Sequence, residues 1–295
     1  MNAFGVFGLV FLSCLLHVSW NALSKGYEDR EAFTWMVTLT GLLFAVPCFV
    51  ISRAISPGAL NWPVLGYAAA SGFFESLYFI FLFWSYKHVD LAVAYPLSRG
   101  VAPVATLIFG GWIGDTLQAA HLPGVLAVLA GVGLLSWDAL RRAPVQRSAW
   151  CGLALAVLAG VGIGVYHLFD RAAVTLSPPP STFEYMLLMY VFMLFFITLW
   201  LLPMPCIGGR LALEWRRRWR VDLLIGGISL VAYLLILVAF CYGHVTLVTA
   251  GRNIGIVMSL AVGALFLREK ISCWQVAGAL LVTAGVIGIF LAGSL

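Results

Sequence analysis

Ten apolar stretches, each near the ~20 residues that a helix needs to cross a bilayer core, dominate this chain. They run at 4–24, 32–52, 62–86, 91–113, 118–137, 149–170, 183–203, 221–243, 246–267 and 273–293. Little chain separates them. The longest hydrophilic connection is 204–220, around Arg210 and the run from Glu214 to Arg220. Backbone in lipid must satisfy its own hydrogen bonds, so these segments are expected as transmembrane helices. Barrel strands would alternate with a period of two, and these segments do not. Composition agrees. Of 295 residues, 62% are hydrophobic and 10% charged, against about 25% charged in a soluble domain. Too little polar surface remains to coat a water-soluble globule, so lipid is the expected solvent and the bilayer an expected partner.

Alternating traverses put connections 1–2, 3–4, 5–6, 7–8 and 9–10 on one side, here called side B, and the others on side A. Thirteen of the seventeen Lys and Arg fall on side B; only Arg53 and Arg171 fall on side A. The positive-inside rule then places side B in the cytoplasm and both termini on the non-cytoplasmic side of a multi-pass protein of the cytoplasmic membrane. The net charge of +5 sits in short connections rather than on one face, so no nucleic-acid partner is expected. The first span lacks a positive n-region and is read as a retained helix, not a signal peptide. The six cysteines lie within or beside apolar stretches, with no C-x-x-C pair, and read as small hydrophobic filler.

The chain repeats itself. Tyr86-Lys-His88-Val89-Asp-Leu91 matches Tyr242-Gly-His244-Val245-Thr-Leu247. Gly124-x-Leu126-x-Val128-x-Ala130-Gly131-Val132 matches Gly278-x-Leu280-x-Val282-x-Ala284-Gly285-Val286. Both matches occur in the same order. Residues 1–140 and 141–295 are therefore read as two five-helix repeats. An odd number of spans inverts the second copy, so the expected fold is an all-α membrane protein of ten helices in two inverted repeats. That architecture suits alternating access around a midplane site.

These features together resemble the drug/metabolite transporter superfamily, in its ten-helix branch with two EamA-type repeats. The resemblance rests on the five-helix repeat and on spans four and nine, which run into acidic turns (Asp115; Leu267-Arg-Glu269-Lys) followed by the G-x-L-x-V-x-A-G-V helices. It implies secondary transport of small metabolites, through a cavity lined mainly by helices 1, 3, 4, 6, 8 and 9. Many relatives keep their termini in the cytoplasm; the charge count here says the reverse, and it is followed.

Charge inside a span costs roughly 2.5–3.5 kcal/mol on insertion scales, so it points to function. Three such residues stand out. Glu75 shares a helical face with Ser71 and Tyr78; it is the proton-coupling candidate or a partner for a substrate amine. Arg99 lies in Tyr95-Pro96-Leu-Ser98-Arg99, with Pro103 beyond; such prolines distort a helix where it lines a cavity. Arg252 lies in Gly251-Arg252-Asn253 and aligns next to Arg99 through the repeat. Paired guanidinium groups suit a carboxylate or phosphate. Span one adds a polar stripe with His17, Trp20 and Asn21. Trp20-Asn21-x-x-Ser24-Lys25 parallels Tyr166-His167-x-x-Asp170-Arg171, whose members are read chiefly as interhelical or interfacial residues. His88 and His244 are expected in turns.

The candidate substrate-binding residues are thus Arg99, Arg252, Glu75, His17, Trp20, Asn21, Tyr78, Tyr95 and Asn253. No catalytic residue, metal or cofactor is expected: no G-x-S-x-G and no paired carboxylates lie in the spans. With no ATP-binding motif, a proton or another ion is the candidate coupling species. The expected function is a secondary transporter of a small organic metabolite, amino-acid-like or otherwise acid-bearing or zwitterionic. The alternative is a proton-coupled exporter of cationic or lipophilic drugs, and more remotely a membrane-embedded enzyme or lipid scramblase.

Overall fold

In the computed structural model, residues 2–24, 27–56, 61–89, 91–115, 117–142, 149–267 and 272–292 are described. Lys25, Arg147, Arg268, Glu269 and Lys270, used above for orientation and for the repeat, lie outside them. The helices are α1 (Ala3–Leu23), α2 (Arg30–Ile55), α3 (Val64–Tyr86), α4 (Leu91–Phe109), α5 (Leu122–Arg142), α6 (Ala149–Val174), α7 (Thr182–Leu201), α8 (Ile207–Tyr242), α9 (Val245–Gly251), α10 (Ile254–Leu267) and α11 (Cys273–Ala292). Among the described residues, ten spans are long and apolar enough to cross a membrane, with α9 and the start of α10 forming one of them. The chain is an all-helical multi-pass membrane protein. Large apolar side chains face outward, such as Ile55, Ile108, Trp112, Trp150 and Leu280, as lipid in place of water requires.

Local sequence sets three of the helix starts. Asn2 and Asp29 accept from the N–H groups of Gly5 and Ala32. Ser272 and Gln275 form a reciprocal capping box that opens α11, each backbone N–H bonded to the other side chain. Two helices depart from the expected bounds. The basic segment 210–220, expected as a connection, is the first part of α8, which runs unbroken for 36 residues. After Gly209 the segment holds good helix formers and no proline. Arg210 donates to Asp29 and Glu31, and the Arg218 guanidinium lies 4.4 Å over the Tyr27 ring. The ninth span, expected as one helix, breaks at Arg252-Asn253. There the N–H of Asn253 bonds back only three residues, to Ala250, and that of Gly255 to Arg252.

The ends sort as alternating traverses demand. At side B, Lys87 pairs with Glu31, and Arg210 with Asp29 and Glu31. At side A, Arg53 pairs with Glu184, and Asp115 bridges Arg171 and His244. Packing follows the glycines. A Cβ on Gly124 would lie 2.8 Å from the Gly285 carbonyl oxygen, and one on Gly131 would lie 2.7 Å from that of Gly278. Thus α5 and α11 cross antiparallel, backbone on backbone, with the first glycine of each repeated motif against the last of the other. The series Gly160-x-Gly162-x-Gly164 brings α6 onto α4 and α3. In the interior, α3 packs on α6 and α7 while α8 packs on α1 and α2.

Candidate functional site

A cavity of about 500 Å³ lies inside the bundle. Its deep end is formed by Arg99, Tyr166, Tyr233 and Arg252. Its walls reach side B at Ser24, Arg30 and Tyr86. Among the described residues, no lining residue comes from the side A ends of the helices, which the contacts of Asp115, Arg171 and His244 draw together. Beyond the helices expected to line it, α2 contributes Phe33, Thr34, Val37 and Thr38, and α7 contributes Tyr190 and Met193.

Both arginines sit where the backbone is irregular. Pro103 has no N–H to give the carbonyl of Arg99, four residues earlier. Arg252 sits in the break between α9 and α10. Irregular backbone at membrane depth is tolerated where it faces a cavity. Each guanidinium meets a histidine of its own half of the chain: Arg99 Nη2 lies 2.7 Å from His17 Nε2, and Arg252 Nη1 lies 2.6 Å from His167 Nε2. Each also lies over a tyrosine ring, Arg99 over Tyr95 at 5.4 Å and Arg252 over Tyr233 at 5.7 Å. A cation over a ring face is attracted by its quadrupole. These supports fix two charges without neutralising them.

Glu75 is the cavity's carboxylate. It is 9% exposed, and its Oε2 has no hydrogen-bond partner. One turn earlier on α3, Ser71 donates to Asp170 Oδ1 at 2.6 Å; Tyr185 donates to the same oxygen at 2.5 Å, and Tyr233 donates to Oδ2. Asp170 is wholly buried and held by three hydroxyl groups from three helices. The cavity therefore carries two fixed cations, one carboxylate on α3, and walls rich in aromatic rings. It can hold a small organic molecule bearing both an acidic and a basic group.

Of the residues expected at the site, Arg99, Arg252, Glu75, His17, Trp20, Asn21, Tyr78 and Tyr95 all line this one cavity. Asn253 does not. It is 1% exposed behind the wall, with neither amide atom partnered. The helix break turns it away from the side that Arg252 faces. Asn21 lines the cavity while its amide N–H donates to the His17 carbonyl at 2.7 Å. By partners, His167 corresponds to His17 rather than to Asn21, which corrects the parallel drawn between spans one and six. Tyr166, His167 and Asp170 are buried, not interfacial. The interhelical reading of Asp170 holds, but its three donors were not foreseen. The one available signal was its place four residues beyond Tyr166 on a span, where a carboxylate needs a partner. His244 sits in a turn as expected, and its ring donates to Asp115.

Comparison with known proteins identifies the family. The EamA-like transporter family matches residues 150–291. A segment of 89 residues is 33% identical to the multidrug resistance protein EbrA of Bacillus subtilis (strain 168), covering 28% of this chain and 77% of that protein. A segment of 64 residues is 36% identical to EbrA of Bacillus atrophaeus, covering 21% of this chain and 61% of that protein's length. A protein of known crystal structure superposes at a TM-score of 0.69 with 17% identity, over 99% of this chain and 98% of that one. At that identity the likeness speaks for the fold alone.

Proposed function

Since the chain belongs to the EamA-like transporters of the drug/metabolite transporter superfamily, we propose that it moves an acid-bearing or zwitterionic metabolite, amino-acid-like in its charges, by alternating access. The observation that carries this reading is the convergence of Arg99, Arg252 and Glu75 on one cavity that reaches side B and stops short of side A. A lipophilic cation would leave two guanidinium groups facing it; a molecule with a carboxylate and an amine answers all three charges.

The reciprocal glycine contacts of α5 and α11 support two halves, 1–140 and 141–295, related by an in-plane two-fold axis. So does the matched pairing of His17 with Arg99 and His167 with Arg252. With side B in the cytoplasm, as the loop charges argue, the cavity faces inward and both termini lie outside. Glu75 is the candidate proton carrier, because it lines the cavity and its Oε2 has no hydrogen-bond partner.

Proteoliposome uptake of a panel of radiolabelled amino acids, set beside tetraphenylphosphonium, tests the proposal. Saturable amino-acid counterflow that disappears in Arg99→Ala supports it. Transport of tetraphenylphosphonium alone overturns it in favour of drug export, a reading in line with the EbrA relatives' name as multidrug resistance proteins. That second reading draws on Glu75 and the aromatic walls. Glu75→Gln should abolish uptake driven by a pH gradient while counterflow persists.

A further inference from the structure

The two arginines of the cavity differ in their hydrogen-bond balance. A neutral imidazole has one N–H and one bare nitrogen. At His167 both are matched. Nε2 faces Arg252 Nη1, a donor only, and so accepts. Nδ1 then carries the proton and donates to Thr249 Oγ1 at 2.9 Å. At His17 the match fails. Nε2 faces Arg99 Nη2 at 2.7 Å, and Nδ1 faces the Trp20 indole nitrogen at 3.2 Å. Both neighbours can only donate. Wherever the imidazole proton sits, one N–H of the trio points at another N–H. Protonating the ring deepens the conflict. Arg99 Nε is a further buried N–H without an acceptor. The trio holds more N–H donors than acceptors, and all three side chains line the cavity.

At Arg252 the contact with its histidine is matched. Its Nη1 is taken by His167, and it lies over Tyr233, whose hydroxyl is bound to Asp170. Neighbouring Asn253 has an unpartnered donor and an unpartnered acceptor together, so it adds no bias toward an anion.

We infer that Trp20, His17 and Arg99 form the anchor for the acidic head group of the transported compound, a carboxylate that supplies the acceptor missing from the Trp20–His17–Arg99 contacts, and that Arg252 sets the field of the cavity without taking the head group. The inference rests on the acid-bearing reading above and narrows it to one side of the cavity. Trp20 gains a role as a specific donor, distinct from interfacial anchoring.

Calorimetric titration of the purified full chain tests the anchor with two probes that share an aromatic tail, 3-phenylpropionate and phenethylamine. Trp20→Phe keeps the ring and removes the N–H; it should weaken 3-phenylpropionate about tenfold. Arg99→Gln should weaken it more than about fiftyfold, and Arg252→Gln less than about threefold. Phenethylamine should bind Trp20→Phe as it binds the wild type. Where Arg252→Gln does not fold, Arg252→Lys replaces it with the same expectation. Equal losses at the two arginines, or an unchanged Trp20→Phe, overturn the anchor and leave the acid-bearing reading standing. A wild-type protein that binds no 3-phenylpropionate overturns both.

Discussion

His244, in the turn between α8 and α9, donates its ring N–H to Asp115, in the turn between α4 and α5, and so joins the two halves of the chain at side A. Asp115 also accepts from the Val245 N–H at 2.5 Å and lies 3.7 Å from Arg171. Arg171 in turn donates to the Phe240 carbonyl. The His121 ring stands 6.4 Å away. The hydrogen bond to Asp115 raises the His244 imidazole above its usual value. Burial disfavours the Asp115 carboxylate, yet the bonds from His244 and Val245 outweigh burial and hold it below the usual range.

The sign of the pH dependence follows. Stabilisation from His244 is complete below the ordinary imidazole value and is lost as pH rises through its raised value. Stabilisation from Asp115 is present above the ordinary carboxylate value and is lost as pH falls through its lowered value. The side A closure should be firmest between about pH 4 and 6.5 and should loosen in the alkaline direction. Hydrogen exchange at the start of α9, corrected for intrinsic rates, should show protection falling with rising pH in the wild type and a flat profile in His244→Ala. A wild-type profile as flat as the variant's would refute the account.

Glycine at α5 separates packing from propensity. A Cβ at Gly131 would meet Gly278 backbone, while Gly133, two residues on, has open space. Gly131→Ala should destabilise by about 1–3 kcal/mol through overpacking. Gly133→Ala should be neutral or slightly stabilising. Thermal unfolding in detergent reads the difference, and equal midpoints would contradict the backbone crossing of α5 and α11.

Asp170 should be a structural carboxylate with a steep cost of change. Asn at this position keeps one acceptor oxygen but presents an N–H₂ where hydroxyl donors stand. Asp170→Asn should lose about 1–3 kcal/mol of stability, and Tyr185→Phe less, since Ser71 still serves the same oxygen. A midpoint unchanged in Asp170→Asn would show that the three donors are not engaged.

Topology can be read from one native thiol. Cys206 is exposed in the connection between α7 and α8, on side B. In a variant retaining only that cysteine, a membrane-impermeant maleimide should label inside-out vesicles and leave right-side-out vesicles unlabelled. The opposite pattern would place side B outside.

The ten spans and the intramembrane charges were legible in the sequence, because each rests on a local property. Twenty apolar residues must become a helix in lipid whatever surrounds them, and Glu75, Arg99 and Arg252 stand out against that background. Eight of nine expected site residues meet in one cavity for this reason. Tertiary structure decided the rest. Helices such as α7 and α11 are apolar on every side, so no periodicity says which face turns inward. Which histidine reaches which arginine, why Asp170 is buried among three hydroxyls, and why Asn253 does not line the cavity all depend on helix rotation and on the break after Gly251. Those are set by glycine contacts between helices far apart in the chain, a non-local balance of packing that no single segment contains.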